Sequence, residues 1–326
     1  MNEKPKIALY WCSSCGGCEE SVIDLGEELL EVSKAVDVVF WPVAIDTRYS
    51  QVEELADGAL AVAFINGAIR MDAHVRMARL LRRKAKLVVA HGACAHLGGV
   101  IGLANFNTPA ELLNRSYREV PTVENPLSEI PGGRKQDAAG GPVLSPLQDR
   151  VSALDQVIEV DYYIPGCPPP PEIVARAMRQ LLQDELPPKG SVLADRKALC
   201  HTCPRVVNKP EIIRLKRFHR LFEKVWDPDR CFLEQGVICA GPVTRGGCSA
   251  QCIQANMPCR GCFGSVDGLA DQGAGLTSLL AAIIDSSDEK ELMQIASSIP
   301  DQAGLFYRYS AAVATLQGRC KGCPDE

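Results

Sequence analysis

Seven residues, Cys12-Ser13-Ser14-Cys15-Gly16-Gly17-Cys18, limit what this chain can fold into more than any others. They follow the apolar run Lys6 to Trp11 and lead into Glu19-Glu20-Ser21-Val22-Ile23, an order that reads as strand, tight loop and helix. From Val22 the apolar residues recur at Leu25, Leu29, Val32 and Val36, the spacing of one helix face, and Glu27, Glu28, Glu31 and Lys34 are left to water. The thiols are therefore expected where a strand hands over to a helix N-terminus. Free amides and the helix dipole would lower a thiol pKa there, and two glycines let the backbone approach a bulky inorganic ligand. Buried small hydrophobes in a turn would need no such glycines, so the loop reads as a metal-cluster loop.

The chain carries 15 cysteines in 326 residues. No secretory signal precedes the first strand and no apolar stretch is long enough to span a bilayer, so the expected compartment is reducing and cytoplasmic. Clustered thiols there are read first as metal ligands, and an odd total argues against a purely disulfide framework. A formal charge of -5 gives no reason to expect nucleic acid or an anionic membrane as the main partner. With 46% apolar residues, the chain should be globular and long enough for two domains.

The first half alternates apolar strands with helical patterns. Val36–Val43, Ala59–Asn66, Lys86–Ala90 and Val160–Ile164 are candidate strands after the first, and their near-continuous apolar character suits strands buried on both faces of a parallel sheet. His74–Lys84 is a helix with a basic outer face. This order predicts a flavodoxin-like doubly wound domain, in which ligands bind at the carboxyl ends of the strands. Cys15 and Cys18, Cys94 in His91-Gly92-Ala93-Cys94-Ala95-His96, and Cys167 in Pro165-Gly166-Cys167-Pro168 all fall there. The four could surround one 4Fe-4S cluster or hold zinc. His91 and His96 could donate to ligands from behind, although a loop histidine is more often a satisfied polar group.

Residues 104–152 read as irregular, rich in proline and glycine, with a short helical pattern near Ala110–Arg115; a loop of that length is more often functional or partner-covered than idle. A helix is expected from the prolines after Cys167 to Leu182, and Leu186-Pro187-Pro188-Lys189-Gly190 marks a boundary between domains 1–190 and 191–326. Beyond it come Cys200, Cys203, Cys231, Cys239, Cys248, Cys252, Cys259 and Cys262, enough thiols for two four-cysteine clusters. This region reads as a smaller, irregular and helical domain that ligation stabilises where a modest apolar core could not. Glu211–Lys224 reads as a helix whose many cations form a solvated face.

In this ordered set the residues resemble one family, the small electron-transferring subunits of nickel-iron hydrogenases. They are most similar to the cytoplasmic methyl-viologen-reducing, non-deazaflavin-reducing type that works with heterodisulfide reductase. The motifs are Cys15-Gly16-Gly17-Cys18-Glu19-Glu20-Ser21, Gly92-Ala93-Cys94, Pro165-Gly166-Cys167-Pro168-Pro169 and the cysteine-rich tail. The resemblance implies Cys15, Cys18, Cys94 and Cys167 as ligands of a proximal cluster, Cys248, Cys252, Cys259 and Cys262 of a medial one, and Cys200, Cys203, Cys231 and Cys239 of a distal one. It implies three 4Fe-4S clusters, a nickel-iron large subunit that splits dihydrogen, and electron delivery to a downstream iron-sulfur adaptor and heterodisulfide reductase.

Three departures stand out. Cys200 replaces the histidine of many members, so the distal set is all thiolate and implies a lower potential. Cys252 replaces a proline, which implies a full medial cubane. Gly16 stands where classical members often carry threonine, so any proton relay using that hydroxyl would be missing from this chain.

Without a Gly-x-Gly-x-x-Gly fingerprint, neither flavin nor nicotinamide binding is supported. A complex I-like quinone-reductase subunit is the first alternative, although that family carries adjacent cysteines in its first loop and lacks the eight-cysteine tail. A scaffold with structural zinc is the second. Cys12 reads as buried, and Cys320 and Cys323 form a further CxxC whose role stays open.

Overall fold

The computed structural model describes residues 4–131, 144–182 and 186–315. Its strands are β1 (Lys6–Trp11), β2 (Asp37–Phe40), β3 (Leu60–Asn66), β4 (Ile69–Met71), β5 (Ala85–His91), β6 (Leu147–Ser152), β7 (Tyr162–Ile164) and β8 (Ser191–Val192). Six of them form one sheet in the order β2-β1-β3-β5-β7-β8, with every pair parallel. The helices of this half are α1 (Gly17–Ile23), α2 (Glu27–Ala35), α3 (Tyr49–Glu54), α4 (Asp72–Lys84), α5 (Gly92–Leu97), α6 (Pro109–Asn114) and α7 (Pro171–Leu182).

Strand alternation sends Ile7 and Leu9 to one face of the sheet and Ala8 and Tyr10 to the other, and all four are buried. Helix α4 packs Met77, Ala78 and Leu81 against the Tyr10 face. On the Leu9 face, Val22 of α1 packs with Ile173, Val174 and Met178 of α7. Burial on both faces is why these strands are apolar throughout, and the doubly wound α/β fold expected from them is the one observed.

Local differences have local causes. The face from Val22 to Val36 is split between α1 and α2, because Asp24, Leu25 and Gly26 tighten into a turn with Leu25 N–H bonded to Val22 C=O at 3.4 Å. Glycine is a poor helix former, and the break falls beside it. The described parts of the stretch 104–152 are less irregular than its composition suggests. Thr108 and Glu111 cap α6 reciprocally, and β6 returns to pair antiparallel with β4, a ribbon whose three-residue partner Ile69–Met71 is too short to show alternation. Strand β8 lies just past the proline-rich stretch, so the sheet takes its last strand from beyond residue 190.

That edge strand is tied in by Asp161. Its buried carboxylate accepts the Val88 N–H at 2.8 Å and pairs with Arg82 at 2.6 Å and Lys189 at 2.5 Å, while its carbonyl accepts the Gly190 N–H.

Residues 193–315 contain few regular elements. They are α8 (Gln251–Gln254), α9 (Gln272–Ile283), α10 (Glu289–Ser297) and α11 (Gln302–Phe306), with tight single turns between them. The apolar core here is larger than expected: Leu199, Phe218, Trp226, Phe232, Leu276 and Leu280 are buried together, with Cys239 and Cys259 among them.

The helix expected over 211–224 does not form. Leu215 instead bridges Ile284, exchanging bonds with Ile283 C=O and Asp285 N–H at 2.8 Å each, and His219 bridges Val237. Ile213, Leu215 and Phe218 are all buried, so a nearly extended segment covers the core, and the two-residue step from Ile213 to Leu215 is the period of a strand and not of a helix face.

Candidate metal centres

The parallel sheet delivers three loops to one rim. Cys15 and Cys18 follow β1, Cys94 lies in α5 directly after β5, and Cys167 follows β7. Cys18 is buried, Cys94 half-buried, and Cys15 and Cys167 are exposed. The first turn of α1 is pinned by Glu19, whose buried carboxylate accepts the Asn66 amide N–H at 2.6 Å and the Trp41 indole N–H. Burial pushes that carboxyl upward in pKa and the two hydrogen bonds hold it back. Behind Cys18, Ser21 donates to the Cys18 carbonyl at 2.8 Å and lies 3.4 Å from His91 Nε2, so His91 supports the loop from behind. His96 is half-buried against the Tyr163 ring, 4.7 Å between centroids.

The four thiols feel one another. Burial pushes Cys18 up, with further increments from Cys94, Cys167 and Cys15. Cys94 is pushed up to about 12 by burial and then by Cys167 and Cys15. The expectation that the helix terminus would lower a thiol pKa fails at Cys18, because desolvation in a closed loop outweighs a dipole that acts only over the first turn. A chain with its thiols protonated must shed those protons when it takes up a metal group.

Backbone clearance matches the thiols. Gly92 has φ +86, and a Cβ placed on it would land on the Cys18 sulfur. In the other half, a Cβ on Gly241 would lie 3.3 Å from the Cys200 sulfur and 3.6 Å from that of Cys239. Glycine at these positions leaves room for sulfur and whatever sulfur holds.

The second half builds two further groups. Cys200, Cys203, Cys231 and Cys239 line one small apolar cavity with Phe232 and Ile253. Burial raises Cys200 to about 11 and Cys239 to about 12. Phe232 is held by Arg205, whose guanidinium lies 4.0 Å over the ring and donates to the carbonyls of Asp227 and Arg230. Cys248, Cys252, Cys259 and Cys262 line a second cavity of about 240 Å³, and Cys167 forms part of its wall. Cys262 is raised to about 12, by burial first and then by Cys248, Cys167 and Cys252. Cys259 is raised by burial and next by Cys239.

Cys167 thus joins the first group to the group containing Cys262, and Cys239 and Cys259 join that group to the last. Among the described residues, no three His, Cys, Asp or Glu side chains close in tightly enough to hold a single ion. Cys12 lies in the sheet core, with burial as the cause of its raised pKa, and belongs to no quartet. Cys320 and Cys323 lie outside the described residues.

Two residues at these junctions carried no signal in the sequence. Arg260 lies between Cys259 and Cys262 in sequence and near Cys239, Tyr309 and Arg308. Tyr309 reaches Cys167 from the far C-terminal side. Their neighbours along the chain give no hint of either contact.

A family model described as NADH ubiquinone oxidoreductase, 20 Kd subunit, matches residues 15–181, the span that carries Cys15, Cys18, Cys94 and Cys167. The iron-sulfur subunit of the F420-non-reducing hydrogenase of Archaeoglobus profundus is 36% identical over 315 residues, 95% of this chain and 97% of its own. A subunit of the F420-non-reducing hydrogenase of Methanothermobacter marburgensis is 34% identical over 325 residues, 98% of this chain and 99% of its own.

The chain belongs to the small-subunit family of nickel-iron hydrogenases.

These hydrogenase relatives extend the match through the cysteine-rich half, beyond the span common to the oxidoreductase model. A chain of the [NiFeSe] hydrogenase from Desulfovibrio vulgaris Hildenborough shares the fold, with a TM-score of 0.52 at 16% identity over 81% of this chain and 94% of that one. As a hydrogenase small subunit the chain is a component of an oxidoreductase complex, its family contains iron-sulfur groups, and its partner is a hydrogenase large subunit. Among the described residues, no helix is long and apolar enough to cross a membrane.

Proposed function

We propose that this small subunit is a one-electron conductor. It takes electrons from hydrogen oxidation in its nickel-iron large subunit at the sheet end and releases them at the cysteine-rich end. The acceptor is a cytoplasmic iron-sulfur adaptor and, through it, heterodisulfide reductase. The observation that carries the reading is the serial order of the three thiol quartets, joined by Cys167 to Cys262 and by Cys259 to Cys239.

Cys15, Cys18, Cys94 and Cys167 would hold the proximal 4Fe-4S cluster, Cys248, Cys252, Cys259 and Cys262 the medial one, and Cys200, Cys203, Cys231 and Cys239 the distal one. Bound there, the clusters supply three places where a single electron can rest. The chain's own residues set the conditions for that. Exposed Cys15 and Cys167 leave the proximal end open toward a partner, and buried Cys239 and Cys259 keep water from the second junction. Glu19, Asn66 and Trp41 fix the first loop, and Arg205 with Phe232 fixes the last. An all-thiolate distal set and a fourth medial thiol, Cys252, both favour low potentials.

The test is iron, acid-labile sulfide and zinc per chain in anaerobically purified protein. Three cubanes give about 12 irons and as many sulfides. Zinc with little sulfide would sink the reading and leave a structural metalloprotein.

A further inference from the structure

The segment from Tyr307 to Thr315 crosses the seam between the sheet and the cysteine-rich half, and both sides hold it. On one side Gln156 donates to the Ala312 carbonyl at 3.0 Å, and a Cβ on Gly102 would lie 3.2 Å from the Ala312 nitrogen. On the other, the Asp271 carboxylate, which caps α9, accepts the Thr315 N–H at 2.8 Å and its hydroxyl at 2.6 Å. Tyr307 packs its ring against Gly273 so closely that a Cβ there would overlap the ring. A stretch anchored at both ends and in the middle holds its side chains in fixed directions.

One of those side chains is Tyr309. It lines the cavity walled by Cys167, Cys252 and Cys262, so its phenol shares a wall with the Cys167 sulfur and the two groups act on each other electrostatically. Nothing in the conduction scheme above uses this phenol. A phenol O–H next to a thiolate has one task open to it, to donate a hydrogen bond to sulfur. Such a bond withdraws charge from the sulfur and stabilises the reduced, more negative state of a cluster held by it, which raises the reduction potential.

The geometry points to Tyr309 as a positioning residue that sets the potential of the proximal cluster through Cys167, at the junction with the medial quartet. This rests on the iron-sulfur reading above and adds a residue from outside every ligand motif. Tyr309 reaches this cavity from the segment 307–315, so the surroundings of Cys167 are completed by both halves of the chain. The side chain contacts no substrate, and its effect is thermodynamic.

The experiment is a redox titration monitored by low-temperature EPR on the anaerobically purified hydrogenase complex, comparing the parent with Tyr309→Phe and Tyr309→Leu. The proximal signal is assigned as the one perturbed by Cys94→Ser. Phenylalanine keeps the ring and its packing and removes only the donor. The expected result is full iron content in Tyr309→Phe, with the proximal midpoint shifted downward and the distal midpoint unmoved. Tyr309→Leu shifts the proximal midpoint in the same direction. Full iron with an unmoved proximal midpoint overturns the assignment and leaves the conduction reading standing. A parent protein without iron and sulfide overturns both, and the iron assay tells the two failures apart.

Discussion

A methyl group on residue 92 would meet the Cys18 sulfur, and the left-handed backbone there resists any side chain. Gly92→Ala is therefore expected to lose the proximal cluster alone, lowering iron by about four of about 12 per chain while the distal set stays loaded. Iron analysis with EPR checks it. Asp161 gives a prediction of a different kind. Burial works to raise its pKa, but Lys189, Arg82 and the Val88 amide outweigh burial and hold it below the usual carboxylate range. A folded-state pKa below the unfolded one means the unfolded chain binds the proton more readily. The stabilisation is thus present above about pH 4, the ordinary carboxylate value, and is lost as pH falls through the folded-state value. Asp161→Asn should cost about 2 kcal/mol at neutral pH, discounted because Lys189 stays largely solvated. It should also flatten the acid limb of a denaturant-midpoint profile, whereas an unchanged limb would remove Asp161 from the account.

At the scale of elements, the turn around Phe232 couples folding to the distal set. Phe232→Ala removes a buried ring beneath Arg205 and beside Cys231 and should cost about 4 kcal/mol, seen as a fall in the urea midpoint together with loss of distal iron. Helix α8 carries Cys252 near its start, where proline is tolerated. Cys252→Pro should convert the medial site to a three-iron cluster, with about one iron fewer per chain and a new EPR signal in the oxidised state. Unchanged iron and EPR would show that Cys252 is no ligand.

These elements also show what could be read in the sequence and what could not. Strands such as Leu60–Asn66 and helices such as Asp72–Lys84 declare themselves because both faces or one stripe must be apolar. The proximity of glycine to sulfur was also legible, since Gly92 and Gly241 stand beside cysteines in the sequence motifs and against sulfurs in the fold. The segment 211–220 was not: a proline followed by a cation-rich run reads as a helix, and only the pairing of Leu215 with Ile284, far along the chain, decides for extended backbone. Tyr309 was invisible for the same reason, since its partner Cys167 is set by tertiary return of the chain.

For the whole molecule, the order of the quartets makes a directional claim. Cys239→Ser should leave hydrogen able to bleach roughly two-thirds of the iron-sulfur absorbance in the complex, from the proximal and medial sets, while hydrogen-driven reduction of an external acceptor is lost. Undiminished acceptor reduction would mean electrons leave elsewhere. The C-terminal strap adds something about time. Cys15, Cys18, Cys94 and Cys167 are all synthesised well before the strap, but the contacts Gln156 to Ala312 and Asp271 to Thr315 close over them only when residues 307–315 exist. A nascent chain can gather its first four thiols early and still present an unfinished rim. Loading of the first-made site is thereby sealed by a segment made much later, so a maturation machinery would have until residues 307–315 emerge to reach it.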